Sequence, residues 1–380
     1  MQKHAYIKAA EHTAYGRLPG RSAIELMGDV ACKLFSDAGV MRQEIDGVLC
    51  GYATTFPHLM LASLMSEKLG LKPSYAHVVQ TGGATGAAMV MLARDLIRAG
   101  RCRNVLVIAG ENRLSGQTTD ASIQTLAQVG DADVEVPNGM SVPGYYALLA
   151  AQYMHRSGTS EADLAEFAVL MRKHASVHPQ AHLKDPISVD DVLGSKIVAT
   201  PLHLLDCCPI SDGAAALIIS ADPGEVAITG AGQAHQHQHV SAIADIYQTG
   251  AAIAKQRALA DAGTSLDDVD YLGIYDSFTI TLAMLLEELE FAGRGQSAAL
   301  LRAGVFDAHG KWPLNTHGGL LSFGHCGVAG GMAHIVEAYK QLSGKAGSRQ
   351  ISGSRHKAFV HADGGVLSAH VSLILESEHS

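Results

Sequence analysis

The chain has 380 residues, 47% hydrophobic and 17% charged, with 40 glycines and a formal net charge of −9. That length allows a large core and roughly two domain-sized units, while an acidic balance without a basic run argues against a nucleic-acid partner. No apolar run approaches a membrane span, no signal peptide is visible, and six cysteines without metal-ligand spacing fit a reduced, cytoplasmic protein.

AIELMGDVACKLFSDAG (23–39) carries apolar residues at helical spacing and stops at Gly39. DGVLCGY (46–52) reads as a buried strand, LMLASLMSEKLG (59–70) as a helix closed by Gly70, and AHVVQ (76–80) as a strand. ATGAAMVMLARDLIRAG (84–100) is a helix that begins with small residues, and NVLVIAG (104–110) is a continuous apolar strand of the kind covered on both faces. Strand and helix alternate, which predicts α/β layers. Between about 113 and 195 no strand stands out, and YYALLAAQYMHRSG and EADLAEFAVLMRKHASVHP predict an inserted, mostly helical lobe. Strands return at 195–202 and 213–220, and EVAITGAG (225–232) opens a second half. There 241–263 reads as helix, 269–278 as strand, 324–342 opens a helix, and KAFVHADGG (357–365) is a strand. Placing Gly83 and Gly86 on Gly327 and Gly330 superposes two G-x-x-G helix starts, as expected for two similar half-domains, 1–225 and 226–380, meeting at a shared interface.

HVVQTGGATGAAMV (77–90) has the layout of a reactive turn: a strand, two glycines, then a helix whose first N–H groups could face an anion. Where a nucleophile would stand there is glycine.

TGGATGAAMV, ATPLHLLDCCPISDGAAALII, YDSF, NTHGGLLSFGHCGVAGG and HADGGVLS together resemble the thiolase superfamily over nearly the whole chain. The likeness is to the branch of the sterol-carrier-protein-x thiolase, often called lipid-transfer proteins. The resemblance implies a five-layered αβαβα fold from two similar half-domains, with a loop domain inserted in the first. It also implies a dimer, acyl-CoA ligands, no tightly bound cofactor beyond the CoA thioester substrate, and chemistry on a carbon–carbon bond beside a thioester. Thiolases use a nucleophilic cysteine, an activating histidine, a second cysteine that moves the α-proton, and two oxyanion holes. Here the nucleophile motif C-x-S-G falls on Gly83-Ala84-Thr85-Gly86, and the second cysteine's slot is His361 or Ala362. The histidine of the G-H-P motif is kept as His325 with Cys326 in proline's place, and Tyr275-Asp276 replaces the Asn-Glu or His-Asp pair. A thiolase-type covalent acyl-enzyme is therefore not expected.

His325 is the expected base or donor, in keeping with histidine's near-neutral pKa. Tyr275, at a strand end, can point its phenol at a substrate, as tyrosine does in the cysteine-free retro-aldolases of this branch. His361 could take over the lost second cysteine's proton transfer, with Ala362, Asp363 and Gly364 lining the same turn; a cap on that turn is the equal alternative for Asp363. Asn315 and His317 match a loop beside the family's active site and are read as pocket structure. Cys326 reads as a packing residue, with displaced nucleophile as the alternative. His235, His237 and His239 alternate, but no fourth ligand accompanies them and metal is not expected. Three functions compete: a carbon–carbon bond enzyme of retro-aldol or Claisen type on an acyl-CoA, an acyltransferase using a displaced cysteine, and a non-catalytic acyl-CoA-binding scaffold. The resemblance adds one further partner, a small OB-fold, zinc-ribbon protein.

Overall fold

Ser22 accepts a hydrogen bond from the Glu25 N–H while the Glu25 carboxylate reaches back to the Ser22 N–H; this capping box starts α1 (Ala23–Ala38), which left-handed Gly39 ends. In the computed structural model, which describes residues 4–353 and 356–378, α1 follows β1 (Tyr6–His12). Next come β2 (Gly47–Gly51), α2 (Leu61–Leu69), β3 (Tyr75–Val79), α3 (Thr85–Arg98) and β4 (Asn104–Asn112). The inserted lobe supplies α4 (Thr119–Ala127), α5 (Val142–Ser157), α6 (Glu161–Ser176) and α7 (Val189–Gly194). The strand expected at 195–202 is instead a small hairpin, β5 (Ile197–Ala199) and β6 (Leu202–His203), turned at Thr200-Pro201. β7 (Asp212–Ser220) completes the first half.

The second half holds β8 (Val226–His235), α8 (Ala251–Ala262), β9 (Tyr271–Ile274), α9 (Thr279–Glu288), α10 (Ser297–Arg302), α11 (Val328–Leu342), β10 (Lys357–Gly364) and β11 (Ala369–Ser377). The helix expected from 241 begins only at Ala251. The Glu288 carboxylate accepts from the N–H groups of Thr249, Gly250 and Ala252, and Gly250 sits at φ 117, so the first turn is set there. The strand expected over 269–278 is cut to Tyr271–Ile274, since the chain leaves the sheet at Tyr275.

The sheet runs β3-β2-β4-β7-β1-β8-β11-β10-β9. In the first half β4 is parallel to β2 and antiparallel to β7, which is antiparallel to β1. In the second, β10 is parallel to β9 and antiparallel to β11, which is antiparallel to β8. The counterpart of β3 shrinks to a single parallel bridge between Leu272 and Leu314. Within the sheet the halves meet where β1 pairs with β8, at Tyr6–Ala227 and Ile7–Val226.

Side-chain alternation sorts the core into layers. Val48, Cys50, Leu106, Ile108, Ala214 and Ala216 pack on α1 and α2. Val105, Val107 and Leu217 of one half, and Val360, Val371 and Leu373 of the other, close on α3 and α11 between them. Leu272, Phe359 and Ile374 face α9 and the inserted lobe, with α8 on the same side. The fold is thus the thiolase-like αβαβα arrangement, and it brings the N-termini of α3 and α11 together in its middle layer.

Candidate active site

The backbone of residues 81–84 meets the end of β10 at a distance only glycine allows. A Cβ on Gly82 would lie 2.8 Å from the Gly365 nitrogen and 3.0 Å from the Gly364 Cα. Gly83 is tighter still. A Cβ there would overlap the Tyr275 hydroxyl and the Asp363 carbonyl oxygen, and would lie 2.5 Å from Tyr275 Cζ. The position a nucleophile would use is therefore filled from across the site by a phenol.

Tyr275 leaves the end of β9 with its N–H bonded to the His361 carbonyl, 3.0 Å. Its hydroxyl lies 3.0 Å from His325 Nε2. His325 is pinned on both sides: its N–H donates to the Pro209 carbonyl at 3.1 Å and its carbonyl accepts from Ser211 N at 3.0 Å. Burial pushes the His325 ring down to about 4, the nearby Arg113 charge adds to this, and a bond to the residue's own carbonyl offsets part of it. His325 and Gly83 are only partly buried. Burial holds the Tyr275 phenol well above its ordinary value, with Tyr146 and Asp363 adding to the shift. The resting pair is thus a protonated phenol donating to a neutral imidazole.

Asp363 is fully buried; its Oδ2 accepts from the Tyr146 hydroxyl at 3.2 Å, and its Oδ1 has no partner among the described residues. Burial raises this carboxyl well above the usual range. Ala362 packs in the middle layer with α3 and α11, on the side where the second cysteine's slot would face them. His361 is turned the other way. Its Nδ1 pairs with Ser372 Oγ at 2.8 Å and its Nε2 with His370 Nδ1 at 3.1 Å, both on the neighbouring strand. The expectation that His361 carries protons in the pocket is corrected by these contacts, which engage both ring nitrogens on the neighbouring strand, whereas Asp363, two residues on and on the same face of β10, reaches Tyr146.

Asn315, held at φ 46, closes the sheet by side chain: its Nδ2 donates to the Ile274 carbonyl at 2.7 Å and its Oδ1 accepts from Ile274 N at 2.8 Å. It clamps the strand end from which Tyr275 projects. Asp276 is spent on structure, accepting from Leu320 N at 2.7 Å and pairing with His334 at 3.1 Å. His317 packs edge-on to Phe323 and His334, with both ring nitrogens buried and unpartnered among the described residues. Cys326 is fully buried near Tyr15, and burial pushes its thiol far up, the reverse of an activated nucleophile. His235 pairs with Gln233, His237 with the Val366 carbonyl and His239 with Asp131, so the alternating histidines have separate partners.

Two residues of the site carried no signal in the sequence. Tyr146, on α5 of the inserted lobe, reaches Asp363 and stacks on Phe278 with ring centroids 4.3 Å apart. Arg113, just past β4, is buried and its charge acts on His325, Tyr52 and Cys208. Only the fold brings these segments to the turn at Gly83. A surface cavity of about 440 Å³ between Ser63 and Ala76 has none of these residues in its wall.

Residues 5–222 match the thiolase N-terminal domain family and residues 232–377 the thiolase C-terminal-domain-like family. The chain is 29% identical over 357 residues to an acetyl-CoA acetyltransferase of Methanothermobacter thermautotrophicus, covering 90% of this chain and 91% of the relative. It is 30% identical over 352 residues to a steroid side-chain-cleaving aldolase of Thermomonospora curvata, covering 87% and 89% respectively. The solved structure of an Ltp2–ChsH2(DUF35) aldolase superposes with a TM-score of 0.85 at 27% identity, over 100% of this chain and 99% of that one. The chain belongs to the thiolase superfamily, in the branch of sterol carrier protein 2.

Proposed function

We propose that this protein is an enzyme that breaks or forms a carbon–carbon bond beside the thioester of an acyl-CoA, with Tyr275 and His325 in place of a cysteine. The observation that carries the reading is the Tyr275 hydroxyl, which fills the nucleophile's place above Gly83 while bonded to His325 Nε2. The likeness to an aldolase and to a lyase acting on a carboxyl-CoA agrees with it. In the cleavage direction the substrate is a β-hydroxyacyl-CoA. The Tyr275 oxygen takes the β-hydroxyl proton as its own proton passes to His325 Nε2. The Cα–Cβ bond breaks, leaving a carbonyl on the released part and an enolate on the thioester. Cα then takes the proton of the Tyr275 hydroxyl as His325 returns its own to the phenol oxygen, which restores the resting pair. N–H groups at the start of α3 face the developing oxyanion. The CoA thioester enters as substrate rather than as a resident cofactor.

The decisive measurement is release of a carbonyl product and a shortened acyl-CoA from a panel of β-hydroxyacyl-CoA thioesters. Undiminished cleavage by a Tyr275→Phe, His325→Ala double variant would sink the reading. The acyltransferase alternative draws on the acetyltransferase likeness, but a buried, proton-holding Cys326 gives it no nucleophile.

The same reading includes half-domains that divide near residue 225 and two kinds of assembly. β3 is an edge strand with His77 and Val78 exposed, and an unpaired apolar edge favours pairing with a second copy. The Ltp2–ChsH2(DUF35) aldolase is named as a two-component protein, which supports a small OB-fold, zinc-ribbon partner here. Among the described residues no helix is long and apolar enough to cross a membrane.

A further inference from the structure

Arg113 is a buried cation with one edge of its guanidinium unpaired. It is 7% exposed, and neither Nε nor Nη2 has a partner among the described residues. The backbone just after it is fixed, because Asp212 accepts from Leu114 N at 2.8 Å and from Ser115 N at 3.1 Å. Along β4 the odd-numbered side chains face the middle layer, and Arg113 extends that face toward the N-terminus of α11. Glu111, the nearest carboxylate in sequence on this face, is engaged by the backbone and hydroxyl groups of Thr54 and Thr55 and forms no ion pair with Arg113. The Arg113 charge is felt by the Glu111 carboxylate, to which it makes no hydrogen bond, and by His325, Tyr52 and Cys208, the last three each retaining some solvent contact.

Leaving two N–H groups of a buried guanidinium without partners is costly even with a carboxylate nearby, so an anion is expected to meet them. The two free groups, Nε–H and Nη2–H, are neighbours on one edge of the planar fork, the arrangement that grips both oxygens of a carboxylate at once. A single enolate oxygen would leave one of them unmade. We infer that Arg113 is a specificity-determining residue that takes a carboxylate on the acyl part of the substrate, so that the substrate class is the CoA thioester of a dicarboxylic acid. This rests on the acyl-CoA reading above and adds which acyl group is preferred.

The test titrates the intact protein with CoA, pentanoyl-CoA and glutaryl-CoA, the last two having the same five-carbon acyl length. The expectation is that glutaryl-CoA binds about 10-fold or more tighter than pentanoyl-CoA, and that Arg113→Met removes the difference while pentanoyl-CoA binding stays. Arg113→Lys, which keeps the charge but not the fork, loses most of the preference and serves if the Met variant does not fold. Equal binding of glutaryl-CoA and pentanoyl-CoA by the wild type overturns the inference and leaves the acyl-CoA reading standing. An equal loss of CoA and both thioesters in Arg113→Met also overturns it, since the cation would then hold a phosphate or the thioester oxygen. A wild-type preference retained in Arg113→Lys overturns the bidentate grip. No binding of any of the three by folded protein overturns both readings.

Discussion

The Tyr275 hydroxyl stands where a side chain on Gly83 would begin, so glycine at 83 and tyrosine at 275 exclude other choices at each other's position. Restoring a cysteine by Gly83→Cys is therefore expected to disable the protein rather than turn it into a thiolase. Overpacking of this kind costs about 1–3 kcal/mol, and the new side chain would displace the phenol from His325. Gly83→Ala is expected to lower both the Tm and carbon–carbon cleavage, because its Cβ meets the Tyr275 hydroxyl and the Asp363 carbonyl oxygen together. A fully active Gly83→Ala protein would mean that the phenol does not occupy this place during turnover.

Tyr275→Phe keeps the ring and its packing and removes only the group bonded to His325. A fall in kcat of about 10²-fold or more is expected, with little change in Tm. Single-turnover kinetics with a β-hydroxyacyl-CoA separates this from a loss of binding, which would appear in KM instead.

Acid should weaken the fold well above the range in which carboxylates titrate. Burial depresses His325, His174 and His370 to about 4 and His178 to about 3, while the unfolded chain takes up these protons near 6.5. Folded pKa values below the unfolded ones mean that the stability is complete above pH 6.5 and is lost as pH falls toward 4. The raised carboxyls of Asp363 and Glu111 act in the opposite sense. A Tm measured at pH 7, 6 and 5 should drop by several degrees, and the drop should be smaller in His178→Gln. A Tm flat across that interval would contradict the buried neutral histidines.

Thiol chemistry distinguishes the acyltransferase alternative. Cys32 is exposed, Cys207 and Cys208 are half-buried, and Cys326 is enclosed with its thiol pushed far up. Iodoacetamide should modify native protein at Cys32 first and leave Cys326 untouched, and Cys326→Ala should keep activity. An acyl group retained on Cys326 after exposure to an acyl-CoA would reverse the assignment.

The open edge of β3 predicts the assembly. Val78→Pro blocks edge pairing at an exposed position and should shift a dimer to monomer in sedimentation equilibrium. Unchanged mass would place the contact between copies elsewhere.

Local pattern determined most of the elements. Periodicity marked α1, α2, α3 and α11; apolar runs marked β2, β4, β7 and β10; and the glycines at 82, 83 and 364 marked turns. The missing nucleophile and the retained His325 were also legible, because identity at a motif position is local information. Tertiary structure decided what lies beyond the reach of a sequence window. β1 and β11 went unassigned, and their pairings are with β7, β8 and β10. α8 starts late because a carboxylate 38 residues from Gly250 caps it. Spacing alone left His361 and Ala362 as alternatives, and the face of β10 on which each falls separates them. Above all, the phenol over Gly83, the Tyr146 bond to Asp363 and the unpaired edge of Arg113 arise from segments distant in sequence. A side chain's identity is written in the chain, but the partner it meets is fixed only when the layers close on each other.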